Sequence, residues 1–225
     1  MLSDVMEDYL KAIYMLQRDE EPPVSTSAIA EYLDVTPPTV TSMVSKLEAK
    51  ELLAHEKYKG VELTQRGETV ALEVLRHHRL LEAYLAEQLD YDLNEVHEEA
   101  DALEHHISEA FEQRVADLLD EPALDPHGDP IPTADLEPLA DDDTAALSAN
   151  EEGDRIVVAR VSDRDQETLS YLESVGIEPG TELRLTERTP IGLLTVEVGG
   201  ETQSLPEALA HSIRVRPVER VDETA

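Results

Sequence analysis

A chain of 225 residues is long enough for one large domain or two to three small ones with real cores. It carries 51 Asp and Glu against 18 Lys and Arg, a formal charge of -33, with no cysteine, no Trp and one Phe. The missing thiols exclude disulfides, iron–sulfur clusters and cysteine zinc sites, so any metal must be held by oxygen and imidazole.

No run of about 18 apolar residues occurs, and no basic segment followed by an apolar one opens the chain, which predicts a cytoplasmic protein with no membrane partner. Periodic apolar segments argue against disorder as the reason for the acid excess. The composition reads instead as halophilic adaptation, an acidic shell that keeps a folded protein hydrated in concentrated salt. Read that way, the charge is only weak evidence against a nucleic-acid partner.

Residues 4 to 18 read as a helix capped by Asp4, with Met6, Tyr9, Leu10, Ile13 and Leu16 on its apolar face and Asp8 off it. Pro22-Pro23 ends that element. Ser25-Thr26-Ser27 opens a short helix through Leu33, and Asp34-Val35-Thr36 leads into Pro37-Pro38 and a third helix to about Lys50. Short helix, tight turn and longer helix is the helix-turn-helix pattern. Val40, Met43, Val44 and Leu47 should face the core, leaving Thr39, Thr41, Ser42, Ser45 and Lys46 outward behind Pro37 and Pro38. Short hydroxyls and a lysine reach phosphates and base edges without a bulky clash, although an ordinary surface helix carries the same residues.

Residues 52 to 64 read as a hairpin turning near Lys59-Gly60, a wing. All five lysines lie within residues 1 to 59, with Lys46, Lys50, Lys57 and Lys59 on the third helix and the wing. Residues 1 to 70 hold 13 acidic and 7 basic residues, leaving 38 and 11 for the rest. This end is the relative positive pole, where double-stranded DNA would dock.

Thr64 caps a long helix to about Leu89, whose Val70, Leu72, Leu75, Leu80, Leu81, Tyr84 and Leu85 supply more apolar surface than one helix in a small domain needs; the surplus predicts a homodimer. Val96, Ala100, Leu103 and Ile107 then recur at helical spacing, predicting a helix to Ile107. His97, Asp101 and Glu104 follow one residue later with His105 beside them, so two carboxylates and two imidazoles flank a buried face. His78 and Glu82 pair one helix earlier. In so acidic a chain such pairs are common by chance, but five of the eight histidines (His77, His78, His97, His105, His106) fall within thirty residues, which argues for a divalent cation.

A further helix is predicted from Ser108 to about Asp120, then a proline-pinned loop over residues 125 to 132 and an acidic stretch to Glu152 read as a linker. From Gly153 the period changes. Arg155 to Val161, Glu182 to Glu187, Leu193 to Val198 and Ile213 to Pro217 read as strands, with a helix from Gln166 to Val175, resembling a small SH3-like barrel.

With these residues in view, the chain resembles the metal-dependent transcriptional repressors of the diphtheria toxin repressor and manganese transport regulator type over nearly all of residues 1 to 218. The resemblance rests on Met6-Glu7-Asp8-Tyr9-Leu10 with Ile13-Tyr14, Pro38-Thr39-Val40, His78-Arg79-Leu80-Leu81-Glu82, Glu104-His105, His127-Gly128 before Pro130-Ile131-Pro132, and the terminal barrel. It implies a mainly α fold with a small β domain. A winged helix-turn-helix at 1–70 would precede a helical metal-binding and dimerisation part at 71–140, an acidic linker at 141–152 and a FeoA-type SH3-like barrel at 153–218.

The resemblance also implies a primary metal site of Asp8, Asp101, Glu104 and His105. A companion site would use His78, Glu82 and His97, with Asp165 and Glu167 the nearest barrel candidates. The effector would be Mn(II) or Fe(II), acting through a homodimer that represses metal-uptake genes at a DNA operator. Iron-responsive members carry Met and Cys where this chain has Asp8 and Asp101, so the site is similar to the manganese type. Lys11 departs from that type, which has a second carboxylate there.

Two readings from other classes compete. A hydrolase could use two carboxylates and two histidines, but no nucleophile motif or phosphate loop is present. A metal buffer or delivery protein would suit the barrel, but would not need Thr39 to Lys46 exposed beside a basic wing. For a repressor, the metal-free carboxylates should repel one another and push the first helix away, and a cation should clamp it back.

Overall fold

The computed structural model describes residues 2–19, 22–140, 143–162 and 166–218. The chain forms two compact units, one of residues 1–81, 101–118 and 131–139, the other of 82–100, 119–130 and 140–225.

In the first unit α1 (Asp4–Asp19), α2 (Thr26–Tyr32) and α3 (Pro37–Glu48) precede a hairpin of β1 (Leu53–Glu56) and β2 (Gly60–Leu63). Ser25 caps α2, its hydroxyl accepting from the Ala28 amide at 3.0 Å. Two prolines open α3, where the missing N–H groups are not needed. Asp34 supplies the positive φ of 48° that turns one helix into the next. Val40, Val44 and Leu47 of α3 join Leu10, Ile13, Ile29, Leu52 and Val61 in one buried core, so the opposite face of α3 is left to solvent.

The wing has a third participant that the sequence did not disclose: Val24 bridges Val61, with amide-to-carbonyl distances of 2.9 and 2.8 Å. Gly60 permits that approach. Its φ is +140°, and a Cβ there would stand 2.1 Å from the Val24 carbonyl oxygen.

The long helix α4 (Gln65–Leu89) opens at Thr64 and is followed by α5 (Val96–Leu103) and α6 (Glu109–Leu118). Two expectations change here. The apolar surface of α4 is not surplus, because Leu72, Leu75, Leu80, Leu81 and Leu85 are all buried within the single chain. Between Thr64 and Asp120 the large exposed apolar side chains are Leu89, Tyr91, Phe111 and Leu118. The helix expected to reach Ile107 ends at Leu103, and the next residues form a turn closed by the His106 amide on the Leu103 carbonyl at 2.8 Å. Residues 131–139 then return to the first unit as a strap, with Leu136 and Leu139 packed on its core and the Leu139 amide donating to the Tyr14 hydroxyl at 3.0 Å.

The second unit centres on a six-stranded antiparallel sheet in the order β3-β8-β4-β5-β6-β7. These are Ala145–Ala146, Ile213–Pro217, Arg155–Val161, Glu182–Arg188, Leu193–Val198 and Glu201–Pro206, with α7 (Gln166–Ser174) and α8 (Glu207–Ser212) beside them. Inward residues alternate along the strands: Ile156 and Val158, Leu183 and Leu185, Leu194 and Val196. Two elements go beyond the expected set: β7, a polar edge strand whose buried residue is Leu205, and α8 after it. Residues 145–149, expected as part of the linker, belong to this unit's core and sheet. Ala145–Ala146 instead pairs with β8, and Leu147 is fully buried in the core.

Candidate metal centre and nucleic-acid interface

Helix α1 presents Glu7 and Asp8 on one turn and Lys11 on the next, and Asp101 near the end of α5 is followed by Glu104 and His105 in the turn beyond it. The fold brings the two sets together. His105 Nε2 lies 2.8 Å from Asp8 Oδ1 and 3.3 Å from Glu104 Oε1, while its Nδ1 lies 2.8 Å from Glu7 Oε2. Donor atoms of Asp8, Glu104 and His105 all fall within 4.8 Å of one another, a set of oxygens and one imidazole that fits a hard divalent cation.

The early end of α5 matters to this geometry, because Glu104 turns inward from the flank predicted for it and its side chain is 1% exposed. A carboxylate so buried must be matched. His78 Nδ1 meets Glu104 Oε2 at 2.6 Å, and the Lys11 ammonium meets the two Glu104 oxygens at 2.7 and 2.8 Å and Asp101 Oδ1 at 3.0 Å.

The charges are perturbed accordingly. Burial works against the Glu104 carboxylate, but the His78 hydrogen bond and the Lys11 charge outweigh it and hold its pKa below the usual value. Burial also opposes the Lys11 charge, yet Glu104 and Asp101 raise its pKa. For His105, burial is outweighed by hydrogen bonds to Glu7 and Asp8, and the pKa rises; for Asp8, burial wins and the pKa rises. The expected collision of bare carboxylates is therefore not what the structure contains, since Lys11 and His105 stand among them.

Of the four predicted primary residues, Asp8, Glu104 and His105 converge, and Asp101 lies alongside on Lys11 and, at 3.3 Å, on His78. His78, predicted for the companion site, sits on Glu104. Glu7 was missed; only its place beside Asp8 hinted at it, and it occupies the second nitrogen of His105, where a metal-bound imidazole is usually oriented by a carboxylate.

A second constellation forms in the other unit. Glu82, Asp125 and His127 are buried, with donor atoms within 4.8 Å of one another, and His97 Nδ1 lies 3.2 Å from Glu82 Oε1. His127 Nδ1 is 3.6 Å from the same oxygen. Asp125 Oδ1 accepts from the amides of His127 and Asp129, both at 2.9 Å, and His127 Nε2 reaches the Leu93 carbonyl at 3.0 Å. The loop is pinned at Gly128, where φ is +89° and a Cβ would stand 2.1 Å from the Ala159 carbonyl oxygen. Asp125 and His127 were missed as candidates because the proline-rich loop gives no helical spacing to read. Of the two barrel candidates, Glu167 is exposed on the first turn of α7, outside the donor clusters formed by the described residues, and Asp165 lies outside the described residues.

On the first unit Pro37, Pro38, Thr39, Thr41, Ser42, Ser45 and Lys46 are exposed along α3, as are Lys57 and Lys59 on the wing. Thr41 and Ser45 turn their hydroxyls back on the Pro37 and Thr41 carbonyls, both at 3.0 Å. Lys59 pairs with Glu56 at 2.6 Å, and the Lys57 ammonium stands 5.0 Å from the ring centre of Tyr58, an exposed wing-tip aromatic absent from the predicted contacts.

Known proteins supply the family. Residues 1–61 match the iron dependent repressor N-terminal DNA binding domain, residues 64–133 the iron dependent repressor metal binding and dimerisation domain, and residues 146–217 the FeoA domain. The chain is 34% identical to the iron-dependent repressor IdeR of Mycobacterium tuberculosis, over 96% of this chain and 99% of that one. It is 32% identical to the diphtheria toxin repressor of Corynebacterium efficiens, over 97% of each. Among solved structures, a manganese-dependent transcriptional repressor in complex with manganese superposes with a TM-score of 0.88 at 37% identity, covering 95% of this chain and all of that one. No described helix is long and apolar enough to cross a membrane.

The chain therefore belongs to the diphtheria toxin repressor family: it is no enzyme but a divalent-metal-dependent repressor of metal homeostasis, binding a DNA operator as a homodimer.

Proposed function

We propose that this repressor senses Mn(II) or Fe(II) through Asp8, Glu104 and His105, with Asp101 as a further donor and Glu7 orienting the imidazole. The observation that carries this is the convergence of three oxygen and nitrogen donors with no sulfur among them. A bound cation would supply the charge that lets Asp8 of α1 and Glu104, just past α5, share one partner. To ligate, His105 would offer the Nε2 that faces Asp8 and Glu104, any proton there passing to solvent, while Glu7 would keep the Nδ1 N–H directed. Glu82, His97, Asp125 and His127 form the companion site in this reading, in place of the set with His78.

The functional partition is a DNA-binding part at 1–70, a metal-binding and dimerisation part at 71–140 and a barrel at 153–218. Pro37 to Lys46 enters the major groove, and Lys57 and Lys59, with Tyr58, approach the backbone. The acid excess supports work in a cytoplasm of concentrated salt, where counterion release contributes little and base contacts carry more of the affinity.

The test is duplex DNA selected from a random library by the full chain with Mn(II), then titrated by fluorescence anisotropy with chelator, Mn(II), Fe(II) under argon, or Zn(II). Binding restored by Mn(II) or Fe(II), and lost in His105→Ala, is expected. Operator binding that survives the chelator unchanged refutes the reading.

A further inference from the structure

Lys11 departs from the donor pattern of the metal centre, and its placement gives the departure a role. Its ammonium touches both oxygens of Glu104 and one of Asp101, and its side chain is 19% exposed. Glu104 is thus held on three sides, by Lys11 on both oxygens and by His78 on Oε2, with His105 Nε2 3.3 Å from Oε1. A buried carboxylate without a counter-charge would be costly, so the metal-free chain carries its own cation. We propose that Lys11 is a tethered competitor for the metal centre: its ammonium occupies Glu104 in the metal-free protein and must leave that carboxylate before a divalent cation takes it.

The proposal rests on the reading of Asp8, Glu104 and His105 as metal ligands. Its chemistry is an exchange of cations at one carboxylate, with no bond made or broken beyond hydrogen bonds and coordination. Two consequences follow. The apparent metal affinity is the site's own affinity reduced by the fraction of molecules in which Lys11 has released Glu104. A monovalent ion offers Glu104 no more charge than the ammonium already there and lacks its tether, whereas a divalent ion offers twice the charge. The lysine therefore selects for charge as well as setting a threshold. In a medium rich in K⁺ a bare cluster of carboxylates would fill with K⁺; one closed by its own ammonium stays available to a scarcer divalent ion.

The experiment titrates chelator-treated full-length protein with MnCl2 by calorimetry. It compares wild type with Lys11→Gln, which keeps a hydrogen-bond donor and loses the charge, and Lys11→Met, which keeps the apolar stem. Choline chloride and KCl are used at one ionic strength. In choline chloride both variants are expected to bind Mn(II) roughly 10- to 100-fold more tightly than wild type, the effect of deleting a like charge this close to the incoming ion. In KCl that gain should shrink as K⁺ enters the uncovered carboxylates.

Variants that bind Mn(II) no more tightly than wild type in choline chloride overturn the competitor role, and a gain equal in both salts overturns the exclusion of monovalent ions. Metal-free Lys11→Gln should also melt below wild type, while its Mn(II)-loaded form should not; equal melting of the metal-free proteins counts against Lys11 as the internal counter-ion. His105→Ala keeps the two ideas apart. If it binds Mn(II) as wild type does, the site assignment fails; if it loses Mn(II) while Lys11→Gln gains nothing, only the lysine's role fails.

Discussion

The two histidine–carboxylate clusters are built from similar residues and held by different means. Around Glu104 the partners are side chains, and the ammonium of Lys11 sits on a flexible four-carbon stem. Around Glu82 much of the scaffold is backbone: Asp125 is fixed by two amides, His127 by a carbonyl, and Gly128 by contact with β4. A cluster whose charge is balanced by a movable side chain can exchange that partner for a ligand at modest cost. One assembled from main chain cannot rearrange without disturbing its loop. The first suits a sensor and the second a companion site whose shape is set in advance, and this division can be tested residue by residue.

The largest effect should come from His105→Ala, which removes a ring nitrogen from the exchangeable cluster. Mn(II)-dependent operator binding should fall by more than about 100-fold, while the metal-free protein loses only the contacts of His105 with Glu7 and Asp8 and still folds. Unaltered DNA binding would erase the contrast. Next comes Gly128→Ala in the fixed cluster. Backbone strain and the clash with the Ala159 carbonyl should destabilise the second unit by about 2–4 kcal/mol, whereas Gly153→Ala, at similar φ but in open space, should cost about 1 kcal/mol. Thermal unfolding of the two variants measures the difference, and equal losses would mean the loop is not pinned there.

A smaller change is expected for Glu7→Gln. It leaves every proposed ligand in place and weakens the hold on His105, so Mn(II) affinity should drop roughly tenfold. Calorimetry that finds no loss would make Glu7 a bystander. The smallest effect is a pH dependence. The pKa of His105 is raised above 6.5, so its contribution to the metal-free fold is complete below that pH and fades as pH rises through the folded value. The melting-temperature difference between metal-free wild type and His105→Gln should be greatest below pH 6.5 and shrink on the alkaline side. A difference that grows with pH contradicts the assignment.

The sequence disclosed the parts of this molecule that obey a period. Helix α3 was readable because Val40, Val44 and Leu47 repeat every three to four residues behind two prolines, and β4 to β6 because apolar residues alternate. What it concealed obeys no period. Glu104 was placed on a helix flank because the apolar repeat ran on to Ile107, and nothing local says the helix stops at Leu103. Lys11 was visible as a departure, but a contact 93 positions away cannot be read from either end. Asp125 and His127 lie in a loop whose shape depends on a strand some thirty residues later. The short β3 was masked by its acidic surroundings, and β7 by a polar composition that an edge strand tolerates because only one neighbour pairs with it.

The strap of residues 131–139 bears on the order in which the molecule is made. The Leu139 amide meets Tyr14 across 125 positions, and Leu136 and Leu139 fill the same core as α1 to α3. During synthesis the N-terminal helices emerge and can pack long before that plug exists, so the winged unit first forms with part of its core still open to water. Closing so long a loop costs entropy that grows only slowly with its length, but it cannot happen until residue 139 has left the ribosome. The nascent DNA-reading unit is therefore still open while the metal-binding residues between Asp101 and His105 are being added, and it becomes complete only after them.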